Sequence, residues 1–168
     1  MTEVHEAAAN GDSTQIETLM NTGRYDANAK DQEWHERTPM HWAALKGHGE
    51  SIRTLYEYGG RFDSETESGW TPMHFAAEMG RLQAIKIMHK LGAPLDKPDN
   101  SGDTPQRLAE IYGHKECAEF LGNASREYNE QKSREAARKA AEKFIGKLGQ
   151  RSLLSPKGMR KGAKSSGK

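Results

Sequence analysis

Cysteine is almost absent from this chain: Cys117 is the only one among 168 residues. A lone thiol forms no internal disulfide and supplies no thiolate cluster for zinc, and it fits a reducing compartment. Long apolar runs are absent as well. No stretch approaches the roughly 18 residues of a membrane span. The start Met1-Thr2-Glu3 has neither the basic nor the apolar region of a secretory signal. An intracellular, cytoplasmic protein is therefore expected. Apolar residues make up only 34% of the chain and mean hydropathy is −0.95, values that suit a thin core under a large surface. No glycine-rich loop of the phosphate-cradling kind occurs, and no nucleophile elbow. No histidine pair has the spacing of a zinc site. The sequence thus offers no catalytic residue, no metal site and no cofactor, and a non-enzymatic protein is expected.

What the chain does have is a phrase that returns every 33 residues. Thr38-Pro39-Met40-His41-Trp42-Ala43-Ala44 comes back as Thr71-Pro72-Met73-His74-Phe75-Ala76-Ala77. It then weakens to Thr104-Pro105-Gln106-Arg107-Leu108-Ala109-Glu110, and Gly47, Gly80 and Gly113 follow at one offset. Threonine caps a helix start, and proline is tolerated next to it because its missing N–H would have no helical partner there. The alanines keep this first helix thin, and the glycine ends it. A second helix keeps the same period, with Ile52, Ile85 and Ala118 in one row and Leu55, Met88 and Leu121 in the next. Gly59 and Gly92 close it. A repeat of this length signals stacked units, and stacked units mostly serve as binding surfaces.

The phrase resembles the ankyrin-repeat signature Thr-Pro-Leu-His-x-Ala over about residues 1–124. The resemblance implies an all-α solenoid of four helix–turn–helix units joined by β-hairpin-like loops, at about 1–30, 31–63, 64–96 and 97–124. The first unit is partial: His5, Ala7, Ala8 and Gly11 align with His41, Ala43, Ala44 and Gly47 at an offset of 36, without Thr-Pro. The three extra residues fall within Lys30–Arg37, where Glu36 stands in place of the family's preferred glycine. The fourth unit, with Arg107 and Glu110, reads as a cap. The resemblance also implies structural roles for the histidines. His41 and His74 would bond the threonine and nearby backbone, His5 is the first unit's counterpart of His41, His48 and His114 flank the helix-ending glycines, and His35 and His89 face solvent. Asn28 resembles the hairpin asparagine that hydroxylases modify in some members of the family.

Charge divides the chain. Residues 1–124 carry 12 Lys/Arg against 20 Asp/Glu, net −8, whereas residues 125–168 carry 13 against 4, net +9. Ser125 to about Leu148 reads as a basic helix with Ala137, Ala141, Phe144, Ile145 and Leu148 on one face. It either packs on the last repeat or is presented to a partner or an anionic membrane surface. Residues 149–168 are mostly Ser, Gly, Lys and Arg, with Leu153-Leu154 as the one apolar pair, and read as a flexible basic tail. Lys157, Arg160, Lys161, Lys164 and Lys168 form a basic tether for an acidic polymer such as a tubulin tail. Without aromatics to stack on bases, the tail gives no basis for sequence-specific nucleic-acid binding. Ser155, followed by Pro156, is a minimal phosphorylation site.

The family's concave face uses hairpin tips and exposed positions of each first helix. Carried over, these are Arg37, Leu45 and Lys46, then Trp70, Glu78 and Met79, then Asp103, Ile111 and Tyr112, with Trp34 in the enlarged loop. Exposed aromatic and apolar residues collected in this way mark an interaction site. Trp42 and Phe75, next to the signature histidine, are assigned to core packing. The reading is an adaptor, a monomer within a larger complex, binding one protein through the concave face and an acidic assembly such as a microtubule or ciliary axoneme through the tail. The alternative is a regulatory inhibitor of an enzyme or transcription factor, with the tail as nuclear address or phosphorylation switch.

Overall fold

The computed structural model describes the backbone of residues 1–162 and the side chains of residues 1–151. Eight α-helices order its described part: α1 Glu3–Asn10, α2 Ser13–Asn21, α3 Pro39–Lys46, α4 Gly49–Glu57, α5 Pro72–Glu78, α6 Leu82–Lys90, α7 Pro105–Ile111 and α8 Lys115–Gly162. No strand occurs among the described residues. The expected hairpins reduce to one isolated antiparallel bridge, Asp31 with Arg37, because each loop closes on a single short backbone bond. Thr66 N–H donates to Trp70 O at 3.0 Å and Asp99 N–H to Asp103 O at 2.8 Å. The chain divides into two compact units, Met1–Ser125 and Arg126–Lys168.

Within the first unit, α1, α3, α5 and α7 stack as an inner row and α2, α4 and α6 as an outer one. The first helices of units one to three, α1, α3 and α5, each start at a threonine–histidine clamp. In α3 the Nδ1 of His41 accepts from the Thr38 N–H at 3.0 Å, and the Thr38 hydroxyl lies 2.8 Å from the same atom. The Thr71–His74 pair repeats this at 3.0 and 2.8 Å. The first unit, read from sequence as partial, has the whole clamp: Thr2 N–H meets His5 Nδ1 at 3.2 Å. Thr2 needs no following proline, since the capping box is made by side chain and backbone alone.

An Nδ1 that accepts leaves the ring proton on Nε2, which donates across to the next loop. His5 reaches Ala29 O at 2.8 Å, His41 reaches Trp70 O at 2.8 Å and His74 reaches Asp103 O at 3.0 Å. A second set of bonds pins each unit to the one before. His48 Nε2 donates to Ala9 O at 3.1 Å, Arg81 Nε to Leu45 O at 3.1 Å and His114 Nε2 to Glu78 O at 2.8 Å. These side chains pass over Gly11, Gly47 and Gly80. A Cβ at Gly80 would lie 2.6 Å from His114 Nδ1. His89, expected to face solvent, is instead half-buried with its ring 5.7 Å from Phe120.

The core follows the period. Val4 and Ile16, then Met40, Ile52 and Leu55, then Met73, Ile85 and Met88, then Leu108 and Leu121 are buried between the rows. Each full burial of such a side chain is worth about 1.5–3 kcal/mol.

The last helix departs furthest from the sequence reading. The second helix of unit four and the basic helix, separated at Ser125 by their composition, are one helix from Lys115 to Gly162. Cys117, Leu121 and Ala124 are buried in its first turns. Once those turns are packed, each added residue brings its own hydrogen bond, so propagation carries through the Ala-, Glu-, Lys- and Arg-rich stretch. It also continues past Gly149, where an unordered tail was expected. Every described side chain from Arg126 to Arg151 is exposed. Glu130–Arg134, Glu135–Lys139 and Arg138–Glu142 pair along it at 3.9, 3.2 and 3.7 Å. The side chains of Ser155, Lys157, Arg160 and Lys161, and the whole of Lys164 and Lys168, lie outside the described residues.

Candidate functional site: the inner groove

The first-helix starts also set the groove. The residue before each capping threonine, in turn Arg37, Trp70 and Asp103, is held by its loop at the mouth of an inner helix. Trp70 is fixed most firmly. Its Nε1 donates to Asp99 Oδ2 at 2.9 Å, and its ring meets Phe75 edge-on at 4.9 Å between centroids. Asp99 in turn accepts from Ser101 N–H and Asp103 N–H at 2.9 and 2.8 Å. Trp70 is therefore a rigid, half-buried wall.

The enlarged loop raises Trp34. The three extra residues form a 3-10 turn, Gln32–Trp34, followed by two left-handed residues, His35 at φ 54° and Glu36 at φ 64°. Gly69 and Gly102 take the matching position in the next two loops at φ 79° and 84°, so Glu36 holds a backbone shape that costs a side-chain-bearing residue about 1–2 kcal/mol. Trp34 stands 46% exposed, with its ring edge-on to Trp42 at 5.4 Å.

Arg37 lies over this floor. Its guanidinium carbon is 4.9 Å from the centroid of Trp42, 4.8 Å from Phe75 and 5.9 Å from Trp34. Trp42 and Phe75 are buried, as expected, but Phe75 faces Arg37, Trp70 and His41 rather than joining the main core. Both rings thus form the floor of the groove, a role the sequence reading missed. The signal was present in the spacing. The residue before the threonine meets the aromatic five positions on, as Arg37 meets Trp42 and Trp70 meets Phe75.

A cavity of about 220 Å³ joins Arg37, Trp70, Phe75 and Glu78. A second, of about 540 Å³, joins Trp70, Asp103, Ile111 and Tyr112. Trp70 is common to both, so the groove is continuous across units two to four. Ile111 and Tyr112 are 54% and 52% exposed. Leu45, Lys46 and Met79 line neither cavity: Leu45 leans on the core, while Lys46 and Met79 are exposed. Burial lowers the Arg37 pKa, with Glu78 opposing the shift, and burial raises the Glu78 carboxyl, with Arg37 opposing it. The groove is cationic at Arg37 and acidic along Glu67, Glu78, Asp99 and Asp103.

Nothing in the groove resembles a reaction centre. His41 and His74 spend both ring nitrogens on clamp and loop, and Cys117 is buried with its thiol pKa raised by burial and by Glu116. Among the described residues no group of three His, Cys, Asp or Glu could hold a metal ion, and no helix is long and apolar enough to cross a membrane. Asn28 is engaged: its Nδ2 donates to Gly59 O at 2.9 Å and its Oδ1 accepts from Arg61 N–H at 2.8 Å. The family model for ankyrin repeats in three copies matches residues 4–99 and 60–132. With its clamps, its pins and its paired helices, this chain belongs to the ankyrin-repeat family, whose repeats generally mediate protein–protein interaction.

Proposed function

We propose that the protein is a non-enzymatic adaptor. The inner groove of the repeats grips one protein partner, and the basic C-terminal region tethers the pair to an acidic assembly. The observation that carries the reading is the groove itself: Trp34, Ile111 and Tyr112 stand about half exposed beside the fixed wall of Trp70. Exposed aromatic and apolar groups on a rigid scaffold give up little entropy when a partner covers them. The second unit supports the tether, because its side chains from Arg126 to Arg151 are exposed and residues 125–168 carry a net charge of +9, the sign that an acidic surface attracts.

The runs Arg37–Ala44 and Asp103–Gly113 look like ankyrin repeat domain-containing protein sixty-six, a small animal ankyrin protein. That likeness implies no enzyme activity. It suits a cytoplasmic component of a microtubule-based structure such as the axoneme. Co-sedimentation with microtubules across a salt series tests the tether. Binding that weakens with salt and is lost on removing residues 149–168 supports it, and no binding at low salt refutes it. Pull-down with the full chain and with Trp34→Ala/Trp70→Ala tests the groove, whose partner must be lost in the double variant.

A further inference from the structure

Arg37 is held as a charge that Glu78 feels without pairing with it directly. Three aromatic rings wall its guanidinium at 4.8 to 5.9 Å, and ring quadrupoles attract a cation without neutralising it. Among the described residues it forms no ion pair within 4.0 Å, although Glu67 pairs with His35 and Glu36 with Lys30 in the same loops. Two donors at this spot have no acceptor: Arg37 Nε and the Nε1 of Trp42, a side chain only 7% exposed. Buried donors without partners are uncommon and costly. Both atoms are shut away from solvent, so they show what holding Arg37 here costs, and an acceptor from outside must meet the part of Arg37 that lines the cavity of about 220 Å³.

The chemistry of that acceptor follows from the surroundings. A guanidinium offers a planar fork that matches a carboxylate. A dianionic phosphate would meet one cation here and the carboxylates of Glu67, Glu78, Asp99 and Asp103 along the same groove. One positive charge in an otherwise acidic channel suits one negative charge. Glu78, in the same cavity, disfavours a second acid beside the first.

We propose that Arg37 receives the side-chain carboxylate of a single Glu or Asp in an extended segment of the partner protein, with Trp34 and Trp70 packing on the residues either side. This rests on the groove being the binding face, as argued above.

Random displayed peptides panned on the immobilised full chain test it, with Trp34→Ala/Trp70→Ala as the counter-selection. Enriched peptides should share an Asp or Glu at one fixed position beside apolar residues. Their affinity should fall about tenfold or more for Arg37→Met, and by the same factor for a Glu→Gln peptide on the wild type. The two changes together should cost no more than either alone, the mark of one shared contact. Arg37→Met keeps the apolar stem, and a thermal melt checks that the variant is folded. Tryptophan-dependent peptides with no common acid, or with an acid whose loss adds to that of Arg37→Met, would overturn the assignment and leave the groove reading standing. Binding seen only with a library displayed through free C-termini would assign the contact to a terminal carboxylate and also overturn it. No peptide sensitive to the two tryptophans would refute both.

Discussion

Acid should loosen this fold through its histidines before its carboxylates titrate. His41 is fully buried. Burial pushes its pKa from 6.5 down to about 4, against the opposing pull of the carbonyl it bonds on Trp70. The clamp explains why a second proton is unwelcome: it would land on Nδ1, which already faces the Thr38 N–H. The folded state keeps the ring neutral while the unfolded chain takes up a proton near pH 6.5. The stabilisation is therefore complete above that pH and is lost as pH falls toward 4. At 1.36 kcal/mol per unit the full loss is about 3 kcal/mol, of which roughly 2.5 kcal/mol has appeared by about pH 4.5. That is a large share of the about 5–15 kcal/mol that holds a domain together. His5 and His74, both lowered chiefly by burial, push in the same direction. Urea unfolding of the wild type and of His41→Gln from neutral to mildly acidic pH isolates the one ring, because the carboxylates are common to both. The wild type should lose about 2.5 kcal/mol more than the variant. Parallel losses in the two proteins, or an NMR titration of His41 near its ordinary pKa, would refute the reasoning.

Three further outcomes follow from particular contacts. Trp42→Phe should cost under about 1 kcal/mol, because it removes an orphaned indole N–H, whereas Trp70→Phe should cost about 1–2 kcal/mol by removing the indole donor from Asp99 Oδ2; equal losses on thermal melting would contradict both. Glu36→Gly should raise stability by about 1 kcal/mol, since glycine adopts the left-handed shape freely and the exposed Lys30–Glu36 pair at 3.6 Å contributes little. A lower melting temperature would show that the loop is held by that side chain. Gly80→Ala should lose about 2 kcal/mol or more through its left-handed backbone and its clash with His114. In a double-mutant cycle His114→Ala should relieve part of that loss, and strict additivity would place the strain in the backbone alone.

The helix starts and the core rows were legible because they depend on local chemistry and on the period. Thr-Pro opens α3, α5 and α7, and Ile52 and Ile85 fall one repeat apart and are both buried. The missing clamp of unit one was hidden only because Glu3 stands where the other units have proline. The sequence pointed to Arg37, Trp70, Glu78, Asp103, Ile111 and Tyr112, which line the two cavities, and to Leu45, Lys46 and Met79, which line neither, and it did not reveal the floor. Trp42 and Phe75 sit where the signature places core, and their second face becomes visible only when Arg37 is laid over a ring from the following unit. The length of α8 was illegible for another reason. Composition changes at Ser125, but a helix ladder of backbone bonds does not register that change.

The histidine clamps also run in one direction along the chain. His5 precedes the Ala29 carbonyl it holds by 24 residues, and His41 and His74 precede theirs by 29. Synthesis runs in the same direction, so each loop emerges from the ribosome to find the ring that will fasten it already made. Arg107 stands where a fourth histidine would be, and its guanidinium pairs instead with Glu110 of its own helix at 3.4 Å. The repeat array is a structure that can be completed unit by unit during translation, each clasp waiting for the loop that follows it.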